Sequence, residues 1–199
     1  SIDLARERGA FPFFEADAYL HGAFVRRLPE DIRQGIARHG IRNSHLIAIA
    51  PTGTISLLAN NVSSGLEPVF DFQYRRRLRQ ADGALREYEL TSHALARWRG
   101  LHGDRPLPGS FVSARMLVPE AHLRMQAAVQ PYVDNSISKT INVPADFPFE
   151  AFEDVYAQAH ALGLKGCTTF RPNPVTGAVL SDAAETTNVQ CCSLRREPD

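Results

Sequence analysis

Apolar residues recur along the chain in two rhythms, one near 3.6 residues and one of short continuous runs, and their alternation sets the expected architecture. Residues 29–39 read as a helix. Pro29 takes a first-turn position, Glu30 and Asp31 favour the positive end of the helix dipole, and Gly40 stands where a C-terminal cap belongs. Ile32 and Ile36 are its expected buried face. Residues 45–50, His-Leu-Ile-Ala-Ile-Ala, are a continuous apolar run of strand length, as expected of a strand covered on both sides. A tight turn follows and passes into an apolar helix over 51–59, closed by the turn-rich residues 60–65.

Further along, 74–79 and 85–90 flank Gln-Ala-Asp-Gly at 80–83, and Asp-Gly is a strong hairpin signal. Alternation places only part of the Arg75, Arg76, Arg77 and Arg79 set on one face, and a solvated edge that discourages strand addition is the expected role. Residues 91–99 read as a helix capped by Thr91 or Ser92, 119–129 as a helix with Glu120 in its first turn, and 136–143 as a strand. Residues 148–162 carry Phe149, Phe152, Val155, Tyr156 and Ala159 at helical spacing, and 164–170 closes the pattern as a strand. Helices alternating with apolar strands predict an α/β fold of mainly parallel strands, with one antiparallel hairpin. One domain is expected over 1–180 and a polar, flexible tail over 181–199.

Composition narrows the classes. At 199 residues, 44% hydrophobic and 22% charged, the chain can bury a core. Lys plus Arg and Asp plus Glu both number 22, so nothing suggests a bulk electrostatic partner such as duplex nucleic acid or an anionic membrane. No apolar run approaches the ~20 residues of a membrane-spanning helix. The first residues lack the basic-then-apolar layout of a signal peptide, and three cysteines without framework spacing argue against a disulfide scaffold. A cytoplasmic location is expected. The seven histidines show no metal-ligand spacing, so no metal site is expected. The start inside helical sequence suggests a chain cut from something longer.

The most informative chemistry lies at Pro51, Thr52, Gly53, Thr54 and Ile55. A strand delivers the chain there to a helix N-terminus, where amide hydrogens lack internal acceptors and the dipole favours an anion. Gly53 removes the Cβ that would hold a phosphate away, and the hydroxyls of Thr52, Thr54 and Ser56 can add hydrogen bonds. The competing reading is a plain helix cap by Thr52 or Thr54. The pattern is neither a Walker loop nor a dinucleotide fingerprint.

Four ordered motifs carry a resemblance. They are Arg8-Gly-Ala-Phe-Pro12; Arg42-Asn-Ser-His-Leu-Ile-Ala-Ile-Ala-Pro-Thr-Gly-Thr-Ile-Ser-Leu-Leu-Ala-Asn-Asn-Val-Ser-Ser-Gly-Leu-Glu-Pro-Val-Phe70; Val133-Asp-Asn-Ser-Ile-Ser-Lys-Thr-Ile-Asn-Val-Pro144; and Gly163-Leu-Lys-Gly-Cys-Thr-Thr-Phe-Arg171. Over about residues 1–172 the chain resembles the C-terminal half of the catalytic barrel of adenosylcobalamin-dependent, class II ribonucleotide reductases. The resemblance implies part of a ten-stranded α/β barrel. It also implies reduction of ribonucleotides by a thiyl radical generated with adenosylcobalamin, and substrate diphosphate held at 51–55. Its implied partners are a ribonucleoside di- or triphosphate, the N-terminal half of the barrel, a second copy in a homodimer, and an external dithiol reductant such as thioredoxin. The finger-loop Asn-x-Cys-x-Glu pattern of that family does not occur in this sequence, so no catalytic residue is assigned and the chain is expected not to turn over by itself. Two other readings stand beside it: a non-catalytic remnant that binds nucleotide phosphate, and a structural interaction module.

Other residues weigh less. Cys167 reads as a buried, inert thiol, and Cys191 and Cys192 as an exposed pair that oxidises readily, with re-reduction of an active site as the sharper alternative. His45 reads as a hydrogen-bonded core or rim residue, and Glu67 as part of a loop near the active-site mouth without an assigned role. Lys139, in the 133–144 motif, is expected to face the cofactor or a phosphate.

Overall fold

The computed structural model describes residues 1–171 and 180–182. Its parallel layer is built around residues 135–143. On one side the segment 47–49 runs alongside, with Ile49 bridging Ile137 and the Asn135 and Ser138 amides donating to the Ile47 and Ile49 carbonyls at 3.1 and 2.9 Å. On the other side β3 (Thr140–Asn142) pairs in parallel with β4 (Thr168–Phe170), with Thr140 opposite Thr168. Helices α6 (Pro119–Val129) and α7 (Phe149–Ala161) cover this layer. Leu123, Ile141, Val143, Val155 and Ala159 form the core between them, with Phe147, Leu164 and Cys167 packed at its margin. In α7 the buried stripe is Val155 and Ala159, while Phe149 and Tyr156 are exposed at 66% and 42%.

A second core gathers the N-terminal third: Val25, Ile36 and Ile41, ringed by Phe11, Phe14 and Tyr19 in edge and tilted contacts. Helix α3 (Glu30–His39) ends at Gly40 with φ +71, as its sequence predicts. Its buried face is rotated from expectation. Ile36 is fully buried but Ile32 is 38% exposed, because α1 (Ile2–Arg8) lays Ile2 against Gly35, where a Cβ would sit 3.1 Å from the Ile2 side chain. Helix α2 (Ala16–Leu20) completes this group.

The hairpin forms as read: β1 (Gln73–Arg79) pairs antiparallel with β2 (Leu85–Thr91) around Asp82-Gly83, Gly83 having φ +82. The arginine-rich strand is not an edge, however. Strand β5 (Leu180–Asp182) pairs with Tyr74, Arg75 and Arg76, making β1 the central strand, and Arg75 is held between Glu87 and Glu89 at 3.4 and 3.5 Å. Strand β5 also spans the expected start of the tail, whose remaining residues, Cys191 and Cys192 included, lie outside the described ones. Helix α5 (His93–His102) is capped by Ser92, which accepts from the Leu95 amide at 3.3 Å.

The run 45–50 departs most from its pattern. It is extended, yet Leu46 and Ile47 are 56% and 49% exposed. Among the described residues its backbone is anchored on one edge, where the buried Asp134 carboxylate accepts from the Leu46 and Ile47 amides at 2.6 and 2.7 Å. No described element covers its side chains, and His45 is exposed, its ring meeting the Ser44 hydroxyl at 3.1 Å.

Candidate functional site

The chain leaves the parallel layer at Ala50, and Thr52 turns it into α4 (Gly53–Leu58) with a left-handed backbone, φ +47 and ψ +27. That conformation is sparse for a β-branched residue and needs support from its surroundings. Support comes from the following loop. The Gly65 amide donates to the Thr52 hydroxyl oxygen at 2.7 Å, the Asn61 amide to the Ser56 carbonyl at 2.8 Å, and the Ser56 hydroxyl to the Val62 carbonyl. Gly65 itself has φ +53 and lies so close to the strand end that a Cβ would stand 2.6 Å from the Ala50 carbonyl oxygen.

Thr52 makes no side-chain cap bond to α4. Within the helix the first closed bond is Ser56 to Thr52 at 2.9 Å, which leaves the amides of Gly53, Thr54 and Ile55 without partners among the described residues. Gly53 has nothing within 4 Å of where a Cβ would project, Thr54 is exposed, and Ile55 is 64% exposed. The Thr52 oxygen already accepts one bond, so its hydroxyl hydrogen remains for a ligand. Ser56 differs from expectation: it is buried and its hydroxyl hydrogen is committed to the Val62 carbonyl.

A cavity of about 320 Å³ opens at this point, bounded by Gly53 on one side and by Thr140, Asn142 and Phe170 on the other. Asn142 and Phe170 close β3 and β4, at the carboxyl-terminal ends of parallel strands where open α/β layers place their ligands, and Thr140 opens β3. Phe70 and Tyr74 add apolar walls, and Arg76 from β1 adds a guanidinium whose buried Nε has no hydrogen-bond partner among the described residues.

Glu67 also lines the cavity, and behind it lies a polar network within the core. Lys139 is 2% exposed. Its ammonium meets Glu67 Oε2 at 2.5 Å, the Thr140 carbonyl at 2.7 Å and His122 Nδ1 at 2.8 Å, which uses all three of its hydrogens. The other Glu67 oxygen accepts the Thr140 amide. An ammonium has no lone pair, so His122 must accept through Nδ1, which makes the ring neutral with its proton on Nε2. Burial, then the Lys139 charge, pushes the His122 pKa down; burial likewise lowers that of Lys139 against the pull of Glu67. Lys139 thus turns inward, away from the cofactor or phosphate it was expected to face. A signal for this was present in the sequence. Strand alternation puts Lys139 on the same face as Ile137 and Ile141, both buried, and a lysine on a core face requires an anionic partner.

Cys167 is half-buried at the margin of the core, and burial pushes its thiol pKa up, in keeping with an inert role.

Comparison with known proteins agrees with the motifs. The family model "Ribonucleotide reductase, barrel domain" matches residues 1–170. The "Vitamin B12-dependent ribonucleoside-diphosphate reductase" of Mycobacterium tuberculosis (strain CDC 1551 / Oshkosh) is 35% identical over 91% of this chain and 26% of its own length. The protein of the same description from Thermoplasma acidophilum is 32% identical over 89% of this chain and 23% of its own length. Among solved structures, the Actinobacillus ureae class Id ribonucleotide reductase alpha subunit superposes with a TM-score of 0.56 at 19% identity, covering 86% of this chain and 30% of that one. The chain therefore spans about a quarter of the length of the curated relatives it matches.

Proposed function

The chain belongs to the ribonucleotide reductase barrel family, and on that premise we propose that it supplies the substrate-phosphate site of a vitamin B12-dependent ribonucleotide reductase. The reaction of the complete enzyme is reduction of a ribonucleotide to its 2′-deoxyribonucleotide by a thiyl radical. The sequence carries no Asn-x-Cys-x-Glu pattern, so the radical chemistry belongs to residues outside it. The role of this chain is binding and orientation.

The observation that carries the reading is the set of three unpartnered amides, Gly53, Thr54 and Ile55, in a turn whose Gly53 lines a nucleotide-sized cavity beside the ends of parallel strands. A diphosphate there would satisfy those amides and take a further bond from the Thr52 hydroxyl. The absent cap bond at Thr52 speaks against the alternative in which the turn only caps a helix. The Mycobacterium and Thermoplasma relatives are described as diphosphate reductases, which favours a nucleoside diphosphate as substrate.

Adenosylcobalamin does not fit the cavity. At about 320 Å³ it takes a nucleotide-sized group, and a corrin macrocycle is far larger. The cofactor contacts are assigned to surfaces formed with the rest of the enzyme, as are the N-terminal half of the barrel, the homodimer contact and the approach of an external dithiol reductant such as thioredoxin. A cytoplasmic site of action follows from the same reading.

The test is a titration of the chain with CDP or ADP, followed through the amide resonances of residues 53–55. Saturable shifts confined to the turn are expected. Gly53→Val should abolish them and leave the fold unchanged, because the position has neither a positive φ nor a neighbour within 4 Å. Equal binding by that variant would remove the phosphate assignment.

A further inference from the structure

An ion pair buried in a core seldom adds stability over apolar residues of similar size, since desolvation offsets the attraction; its best-attested benefit is a fixed geometry. What the Lys139 and Glu67 pair fixes can be followed bond by bond. Glu67 grips Thr140 from both sides, holding Lys139 through one oxygen and the Thr140 amide through the other. The Glu67 amide closes a turn on the Ser64 carbonyl at 2.9 Å, and within that turn the Gly65 amide holds the Thr52 hydroxyl at 2.7 Å. Thr52 is the left-handed residue that opens the turn carrying the three free amides. The loop between these anchors has no hydrophobic core of its own; Val62 is 38% exposed and Ser63 exposed. Its position is therefore set by polar anchors: the grip on β3, the bonds to α4, and the ties of Asn61 to the Thr91 carbonyl at 3.1 Å and the Tyr74 hydroxyl at 2.8 Å.

We propose that Glu67 and Lys139 are positioning residues for the nucleotide phosphate, bracing the loop that holds the Thr52–Gly53 turn in its binding form. The inference rests on the phosphate reading of that turn. It assigns to two residues 72 apart in sequence a role in affinity although neither touches the anion. Lys139 is excluded from direct contact because all its hydrogens are engaged inside the protein.

Removing Lys139 alone would leave the half-buried Glu67 carboxylate without its counter-charge, so the informative variant is Glu67→Leu/Lys139→Met, which removes both charges and keeps approximate volume. The chain and its variants are titrated with inorganic pyrophosphate while amide hydrogen exchange is recorded at Gly65 and at the core residues Leu123 and Ile141. The double variant should keep core protection, exchange faster at Gly65 and bind pyrophosphate about tenfold more weakly. Adding Gly65→Ala to it should cost less affinity than Gly65→Ala costs in the parent, since both changes loosen the same loop. Parent-like affinity in the double variant, losses that add in full, or collapse of core protection would each overturn the brace. If the parent itself shows no saturable shifts at residues 53–55, the phosphate reading fails and takes this inference with it, an outcome distinct from a parent that binds and a variant that binds equally.

Discussion

Replacing Gly65 by alanine sets a methyl group against the Ala50 carbonyl oxygen at 2.6 Å, inside the 3.0 Å that a Cβ contact respects. Because the obstacle is backbone, no rotamer relieves it, and the strand end at Ala50 and Pro51 has to withdraw by a few tenths of an ångström. Two costs combine. A non-glycine residue at φ +53 loses about 1–2 kcal/mol relative to glycine, and overpacking against a fixed neighbour adds about 1–3 kcal/mol. Gly83 provides the internal control. It also has positive φ, +82, but a Cβ there meets nothing within 4 Å, so Gly83→Ala carries the conformational cost alone. Urea unfolding should place Gly65→Ala below Gly83→Ala in stability by about the overpacking term. Pyrophosphate titration should show about tenfold weaker binding in Gly65→Ala, about 1.4 kcal/mol, and none of that change in Gly83→Ala. Equal stability of the two variants, with equal binding, would refute the idea that the loop and the turn are wedged together.

Acid sensitivity should trace to His122. Its folded pKa lies below the ordinary value near 6.5 while the unfolded chain takes up a proton there, so stability is intact above that pH and falls as pH drops through it, by at most about 1.4 kcal/mol per unit. His122→Asn, which keeps an acceptor for Lys139, should flatten the profile between pH 7.5 and 5.5 in chemical denaturation; an unchanged slope would place the sensitivity elsewhere. Leu123→Ala, at 1% exposure in the main core, should cost about 2–5 kcal/mol in thermal or urea unfolding. Asp134→Asn weakens two charge-assisted bonds to Leu46 and Ile47 and should cost about 1.5–3 kcal/mol, with faster hydrogen exchange at those two amides and little change at Ile141.

Local signals carried well where the physics is local. Pro119 opening α6, Gly40 ending α3 and Asp82-Gly83 turning the hairpin each act within a few residues, and each element forms as the sequence predicts. The turn at 51–55 was legible in the same way, as a glycine between threonines after an apolar run. Misreadings arose where a distant partner decides. Apolar content alone implied that residues 45–50 are covered, whereas their exposure depends on which elements pack over them. Ile32 lost its place to Gly35 because α1 settles on the smaller residue. The arginines of β1 looked like an edge device until β5 paired from beyond position 179. The Glu67 and Lys139 pair joins positions 72 apart, and only the alternation of Ile137, Lys139 and Ile141 hinted at it.

The Asp134 clamp on Leu46 and Ile47 closes a loop of 88 residues, and the chain entropy of closing it is about 4 kcal/mol before any contact is gained. The hairpin and the separate helices close far shorter loops, so they can form before the parallel layer does. The order of assembly therefore puts the candidate site last: the turn, its bracing loop and the cavity come into being only when segments 47–49, 135–143 and 168–170 align. Substitutions at Asp134, Glu67 or Lys139 should then act on the rate at which the native state opens and leave the rate of folding nearly unchanged, giving φ-values near zero. The part of the molecule proposed to meet the nucleotide is thus also the part that such a ligand would hold shut, by slowing the first step of unfolding.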